Sequence, residues 1–173
     1  SSGEKSIRMR LEVNPSKYIE YVYTISADDY MFDFDINIVG LNQELAFNPY
    51  ITLRWTTLIP AMERPGSDWE SDNTSINVRM ERGDFEKLSG TKDEDDFTSS
   101  ARVQWIAFKQ QFFSSVLIGK NDIDNPSVKL NKIEGQNNKY LKKFDAELSF
   151  PFNRTDNQQI SFNFYFGPNK YSL

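Results

Sequence analysis

Phe32-Asp33-Phe34-Asp35-Ile36-Asn37-Ile38 decides the fold. Apolar and polar residues alternate without a break, so a strand brings Phe32, Phe34, Ile36 and Ile38 to one face and Asp33, Asp35 and Asn37 to the other. A helix would scatter the same residues around its circumference. One face is expected to be buried and the other wet, as in an antiparallel sheet with one solvated side.

The same period of two recurs on either side. It runs through Ile7, Met9, Leu11 and Val13, then Ile19, Tyr21, Tyr23 and Ile25, then Ile51, Leu53 and Trp55. Further on it returns in Ile76, Val78 and Met80, in Phe144, Ala146, Leu148 and Phe150, and in Ile160, Phe162, Phe164 and Phe166. With 14 Phe and 8 Tyr, the composition favours pleated, half-buried surfaces. Turn signals separate the runs: Asn14-Pro15-Ser16, Ala27-Asp28-Asp29, Asn48-Pro49, Arg64-Pro65-Gly66-Ser67, Glu134 to Asn138 and Asn153 to Asn157. Short connections favour hairpins over crossover helices. The expected class is all-β, with two antiparallel faces packed as a sandwich.

Two stretches are harder to read. In Trp105 to Ile118, the residues Trp105, Phe108, Phe112 and Val116 fit a helical stripe, while Ile106, Phe108, Phe112, Val116 and Ile118 fit alternation. Ser114 and Ser115 are weak helix formers and no clear N-cap precedes Trp105, so two short strands around a turn near Lys109 to Gln111 are expected. Gly90 to Ser100 is charged and nearly free of apolar residues, which reads as a mobile loop.

Composition excludes whole function classes. The 173 residues suit one domain. With 25 acidic against 20 basic residues the net charge is -5, so the footprint for a phosphate backbone is missing and nucleic acid is not an expected partner. Histidine and cysteine are absent, which removes Ser-His-Asp and Cys-His triads, His or thiolate zinc sites, iron–sulfur clusters and disulfides. Glycines never take Walker or Rossmann spacing, so no cofactor is expected. No uncharged stretch approaches the roughly 18 apolar residues of a membrane span, and no apolar signal-peptide core follows Ser1 to Lys5.

The densest polar cluster runs from Glu63 to Asp72. Paired carboxylates beside an aromatic platform serve glycoside chemistry, so Glu63, Asp68, Trp69 and Glu70 motivate an alternative reading as a carbohydrate-binding or mutarotase-like sandwich. The plainer reading, a solvated loop with Trp69 packed inward, is preferred, and the missing histidine weighs against sugar chemistry. Asp93 to Asp96 lack EF-hand spacing and read as a solvated acidic run, with no metal assigned. Asn73-Thr74-Ser75 and Asn153-Arg154-Thr155 match the glycosylation acceptor pattern, which often occurs by chance. The aromatics Trp55, Trp105, Phe112, Phe113, Phe164 and Phe166 are assigned to core packing rather than to a stacking surface. No catalytic set is visible.

Three stretches together resemble a known family. Trp105-Ile106-Ala107-Phe108-Lys109-Gln110-Gln111-Phe112-Phe113-Ser114-Ser115-Val116-Leu117 is similar to the signature of the large periplasmic domain of YidC-type membrane protein insertases. The tail, Tyr165 to Leu173 with its Phe166-Gly167-Pro168-Asn169 core, looks like the end of that domain, where the chain approaches the membrane. Tyr21 to Ile36 is similar to the family's paired strands earlier in the domain.

The resemblance implies an antiparallel β-supersandwich like that of galactose mutarotases, lacking its N-terminal strands. It also implies a non-enzymatic part on the periplasmic side of the bacterial inner membrane, held there by segments outside this chain. Sec translocon components and nascent membrane proteins are the implied partners. Phe166, Gly167, Pro168 and Tyr171 are expected to form the membrane-proximal junction, with Pro168 ending the last strand and Gly167 free to take a positive φ. Among the signature residues, Trp105, Lys109, Gln110, Gln111, Phe112 and Phe113 are assigned chiefly to the core. Lys109, Gln110 and Gln111 carry the second possibility of a polar patch for a partner.

Overall fold

The computed structural model describes residues 3–27, 29–63, 68–134 and 139–169, and of Asp122 the main chain alone. Among the described residues, eleven strands and one short helix follow in the order β1 (Lys5–Asn14), β2 (Lys17–Ile25), β3 (Met31–Val39), β4 (Tyr50–Pro60), α1 (Asp68–Asp72), β5 (Ser75–Met80), β6 (Phe85–Ser89), β7 (Glu94–Thr98), β8 (Val103–Lys109), β9 (Phe113–Lys132), β10 (Tyr140–Pro151) and β11 (Asn157–Pro168). Every alternating run found in the sequence is a strand, and every pairing is antiparallel. Residues 105–118 form strand, turn and strand as expected, with the turn at 110–112, but the second strand is not short: it is the start of the long β9.

One layer runs β1-β2-β3-β11-β9-β8-β5-β6, and a second is made of β4, β10, β9 and β7. The 20-residue β9 belongs to both. Its first half pairs with β8 and β11, and its second half with β10 and β7. The change of layer falls between Ile123, which pairs with Val103 of β8, and Asp124, which pairs with Ser149 of β10, next to Asn125-Pro126, where Asn125 has a φ of 45°. Asn tolerates the left-handed region and Pro withholds a ladder donor, so the strand bends out of one layer into the other.

The core lies between the layers. Trp55 of β4 stacks on Phe108 of β8 at 3.8 Å, with edge contacts to Phe164 of β11 at 5.4 Å. Phe150 meets Phe162 edge-on at 5.4 Å. Ile38, Ile59, Ile76, Leu88, Phe108, Leu117, Ile123, Leu130 and Phe144 are almost wholly buried. Each such side chain contributes on the order of 1.5–3 kcal/mol through lost apolar exposure. The wet face of β3 is as expected: Asp33 accepts from Asn163 at 2.7 Å and pairs with Lys120 at 2.6 Å.

Three expectations are corrected. Residues 94–98 form β7 rather than a mobile loop. The acidic run pairs with lysines outside the β7 strand: Lys132 with Asp93, Lys129 with Glu94 and Lys92 with Asp95. Two of those lysines lie more than thirty positions away on β9, beyond the reach of local reading. The apolar set of β1 is the second. Ile7, Met9, Leu11 and Val13 are exposed at 52–74%. On β2 it is Glu20 and Val22, on the opposite face, that are buried. Trp69 is the third, lying 57% exposed rather than packed inward.

Turn chemistry follows the residue types. The Asn14 side chain accepts the Ser16 amide at 3.0 Å in the β1–β2 hairpin, and Asp29 accepts the Met31 amide at 2.9 Å before β3. The expected turns at Arg64 to Ser67 and Gly135 to Asn138 lie outside the described residues.

Candidate functional site

The two stretches that carry the family resemblance meet at one end of the sandwich. β8 ends there at Lys109, the turn 110–112 follows, and β11 finishes beside it with Pro168 opposite Phe113 and Phe166 opposite Ser115. Asn169 fastens the two. Its side-chain amide donates to the carbonyl oxygens of Gln110 at 2.9 Å and Gln111 at 3.0 Å, and its Oδ1 accepts from the Ser114 hydroxyl at 2.5 Å. Its backbone N–H donates to the Phe112 carbonyl at 2.7 Å, while Gln110 N–H donates to the Phe113 carbonyl at 2.8 Å. The carbonyls of three successive turn residues are thus satisfied by one asparagine. No period or motif signals this role in the sequence. An Asn just past a strand-ending Pro is the only local hint.

The core assignment of the signature aromatics is corrected here. Phe112 is 61% exposed, Phe113 58% and Phe166 46%. Alternation places Ile106 and Phe108 inward, and the turn then breaks the period before Phe112. Trp105 is half-buried, with an edge contact to Phe85 at 6.2 Å. Lys109 and Gln110 are half-buried, and Gln111 donates through Nε2 to Glu63 Oε1 at 3.2 Å. Phe166 continues a column of rings out of the core, stacked on Phe164 at 5.3 Å and on Phe32 at 5.6 Å.

Gly167 is needed for another reason than the one expected. It does not take a positive φ. It lies in the strand, where a Cβ would come within 2.6 Å of the Tyr165 hydroxyl and 2.9 Å of the Tyr30 ring. Tyr165 donates over it to the Pro168 carbonyl at 2.7 Å. Pro168 is the last residue of β11, and Tyr171 lies outside the described residues.

The carboxylate cluster is engaged in folding. Glu70 of α1 is buried and accepts the backbone N–H groups of Met62 at 2.9 Å and Glu63 at 3.1 Å. Both oxygens of Glu70 are therefore committed to backbone N–H groups, and Glu63 to Gln111. Elsewhere Glu20 is buried between Arg8 and Arg10, 3.0 and 2.8 Å away, and the hydrogen bond from Arg10 holds its carboxyl below the usual range. Lys142 is buried on the inner side of β10 and donates to the Lys92 carbonyl at 2.9 Å; burial lowers its pKa. Apolar alternation marks this strand only from Phe144, so nothing in the sequence signals a buried Lys142. Among the described residues no group of His, Cys, Asp and Glu could hold a metal ion, and no helix is long and apolar enough to cross a membrane.

The fold and site define a class: an antiparallel β-sandwich domain whose distinctive surface is an aromatic end, not a cluster of acids and bases. The chain matches the family profile of the YidC periplasmic domain over residues 1–173, and it belongs to that family. It is 36% identical over 169 residues to the membrane protein insertase YidC of Bacteroides fragilis, covering 97% of this chain and 27% of that protein. It is 33% identical to the protein of the same name from Azobacteroides pseudotrichonymphae, over 100% of this chain and 28% of that protein. The relative in Parabacteroides distasonis is also 33% identical, over 97% of this chain and 26% of its own length. The chain thus spans about a quarter of these relatives. Its place is the periplasmic side of the bacterial inner membrane.

Proposed function

We propose that this domain is a non-catalytic scaffold and docking module of a membrane protein insertase. In this reading it serves Sec translocon components and nascent membrane proteins, and segments outside this chain hold it at the membrane. Phe166, Gly167, Pro168 and Tyr171 form the junction through which the sandwich is coupled to those segments. The observation that supports the reading is the Asn169 fastening. Hydrogen bonds from one residue past the last strand lock the strand exit to the signature turn, so a load on the exit is carried into the sheet. The exposed apolar face of β1 and β2 fits a domain with further strands, supplied from the same protein, over Ile7, Met9, Leu11 and Tyr21.

The test uses the full-length protein reconstituted in proteoliposomes. A variant whose residues 5–165 are exchanged for a Gly/Ser linker is expected to insert a Sec-independent substrate at the parental rate and a Sec-dependent one more slowly. Removing 166–171 as well is expected to impair both. Loss of all insertion in the first variant would overturn the accessory role.

A further inference from the structure

The signature end of the sandwich exposes an unusual set of side chains. Tyr30 is 53% exposed, Met62 78%, Trp69 57%, Phe112 61%, Phe113 58% and Phe166 46%. Pairings place them together. The Tyr30 carbonyl accepts the Phe166 amide at 2.9 Å while the Tyr30 ring lies against Tyr165 on the other face of the same strand end, Pro168 faces Phe113, and Glu63, next to Met62, holds Gln111. α1, which carries Trp69, leads directly into Ser75, the partner of Lys109. Isolated exposed apolar residues are ordinary, but a group drawn from several loops onto one end marks an interaction surface.

The backbone under this group narrows the kind of partner. The carbonyls of Gln110, Gln111 and Phe112 already accept from Asn169, and that of Phe113 from Gln110. A turn whose carbonyls are satisfied internally leaves water at a smaller desolvation penalty than one whose carbonyls are bare. Those carbonyls are also already engaged and are poor acceptors for an added strand. Trp, Tyr and Phe are the residues that settle at the boundary between headgroups and acyl chains. Charges in these stretches are mixed, with Lys109 at the start of the turn and the carboxylates of Asp29, Glu63, Asp68 and Asp72 in excess, so attraction to anionic headgroups is not the driving force.

We propose that the Phe112–Phe113 turn, with Phe166 and Tyr30 beside it, is a foot that beds its rings in the interface of the bilayer holding the rest of the protein. The inference rests on the insertase reading above. The foot sets the height and tilt of the sandwich over the membrane. Its binding depends on ring burial rather than on charge.

The full-length protein in lipid nanodiscs tests this with an environment-sensitive fluorophore on a single introduced cysteine. Labels go on Phe112→Cys, Phe113→Cys and Phe166→Cys, with Phe47→Cys as control. Phe47 is 95% exposed in the β3–β4 connection, at the opposite end of the sheet. Lipids carrying a shallow nitroxide are expected to quench most of the fluorescence at 112, 113 and 166 and little at 47. Raising salt from about 0.1 M to about 1 M, which shortens the screening length from about 10 Å to about 3 Å, is expected to change nothing. Replacing Phe112 and Phe113 by Ser is expected to reduce quenching at 166.

Quenching at 112 and 113 no stronger than at 47 would overturn the proposal. So would shielding of these labels that arises only when purified Sec translocon is added, which would assign the surface to a protein. Failure of the same full-length protein to insert any substrate would sink the insertase reading separately, because quenching is measured without a substrate.

Discussion

Asn169 and Gln110 stand 59 positions apart, yet a 2.9 Å hydrogen bond joins the side-chain amide of one to the carbonyl of the other. Together with the bonds to Gln111, Phe112 and Ser114, it makes the end of the last strand and the signature turn one unit. The arrangement converts a chain exit into a mechanical joint.

Asn169→Ala removes three side-chain hydrogen bonds and leaves the partly buried carbonyls of Gln110 and Gln111 without their donor. The expected cost is roughly 1–3 kcal/mol in denaturant unfolding. Amide exchange is expected to speed up in residues 110–114 and at the end of β11 while the β4–β10 ladder is unchanged. Asn169→Asp is expected to be worse, because it sets a carboxylate against two carbonyls.

Gly167→Ala is expected to destabilise by roughly 1–3 kcal/mol, the usual cost of forcing atoms into filled space. The obstacle is the ring and hydroxyl of Tyr165 and the ring of Tyr30, not the backbone conformation. Combining it with Tyr165→Phe, which deletes the nearest atom, is therefore expected to recover part of the loss. Purely additive effects of the two changes would show that contact with that hydroxyl is not the cause.

Glu70→Ala strips two backbone N–H groups of their acceptor and is expected to cost roughly 1–3 kcal/mol, with Glu70→Gln closer to the parent because it keeps one oxygen. The urea midpoint reads the difference. Saturable sugar binding lost in Glu70→Gln at unchanged stability would instead revive the carbohydrate reading.

Glu20 links stability to acid. Its folded-state pKa lies below the unfolded reference of 4.5 because Arg10 donates to it, so its contribution is present above that reference and is lost as pH falls through the folded value. The drop in urea midpoint between neutral pH and pH of about 3 is expected to shrink in Glu20→Gln. An equal drop in the parent and the variant would remove Glu20 from the acid response.

The strands were legible because alternation is a local property. Phe32 to Ile38 announces its two faces whatever surrounds it, and the turns at Asn14 and Asp29 follow from side chains that bond their own backbone two residues on. β7 was not legible, since Glu94 and Asp95 look like loop residues until Lys129, a β9 residue, and Lys92 are seen beside them. Nor was the exposure of Phe112 and Phe113. Two phenylalanines in a row next to a buried Phe108 read as core, and only the turn geometry shows that they leave it.

By itself, then, the sequence determined an all-β chain, its seven alternating strands and, through Trp105 to Leu117 and the Phe166 to Asn169 tail, its family. The tertiary structure alone decided which apolar faces are covered, that β9 serves both layers, and that the two family stretches are one site. The physical reason is range. Side-chain period is written every second residue, whereas burial and the bonds of Asn169 depend on the register between strands far apart in the chain, and a shift of one residue would reverse every face.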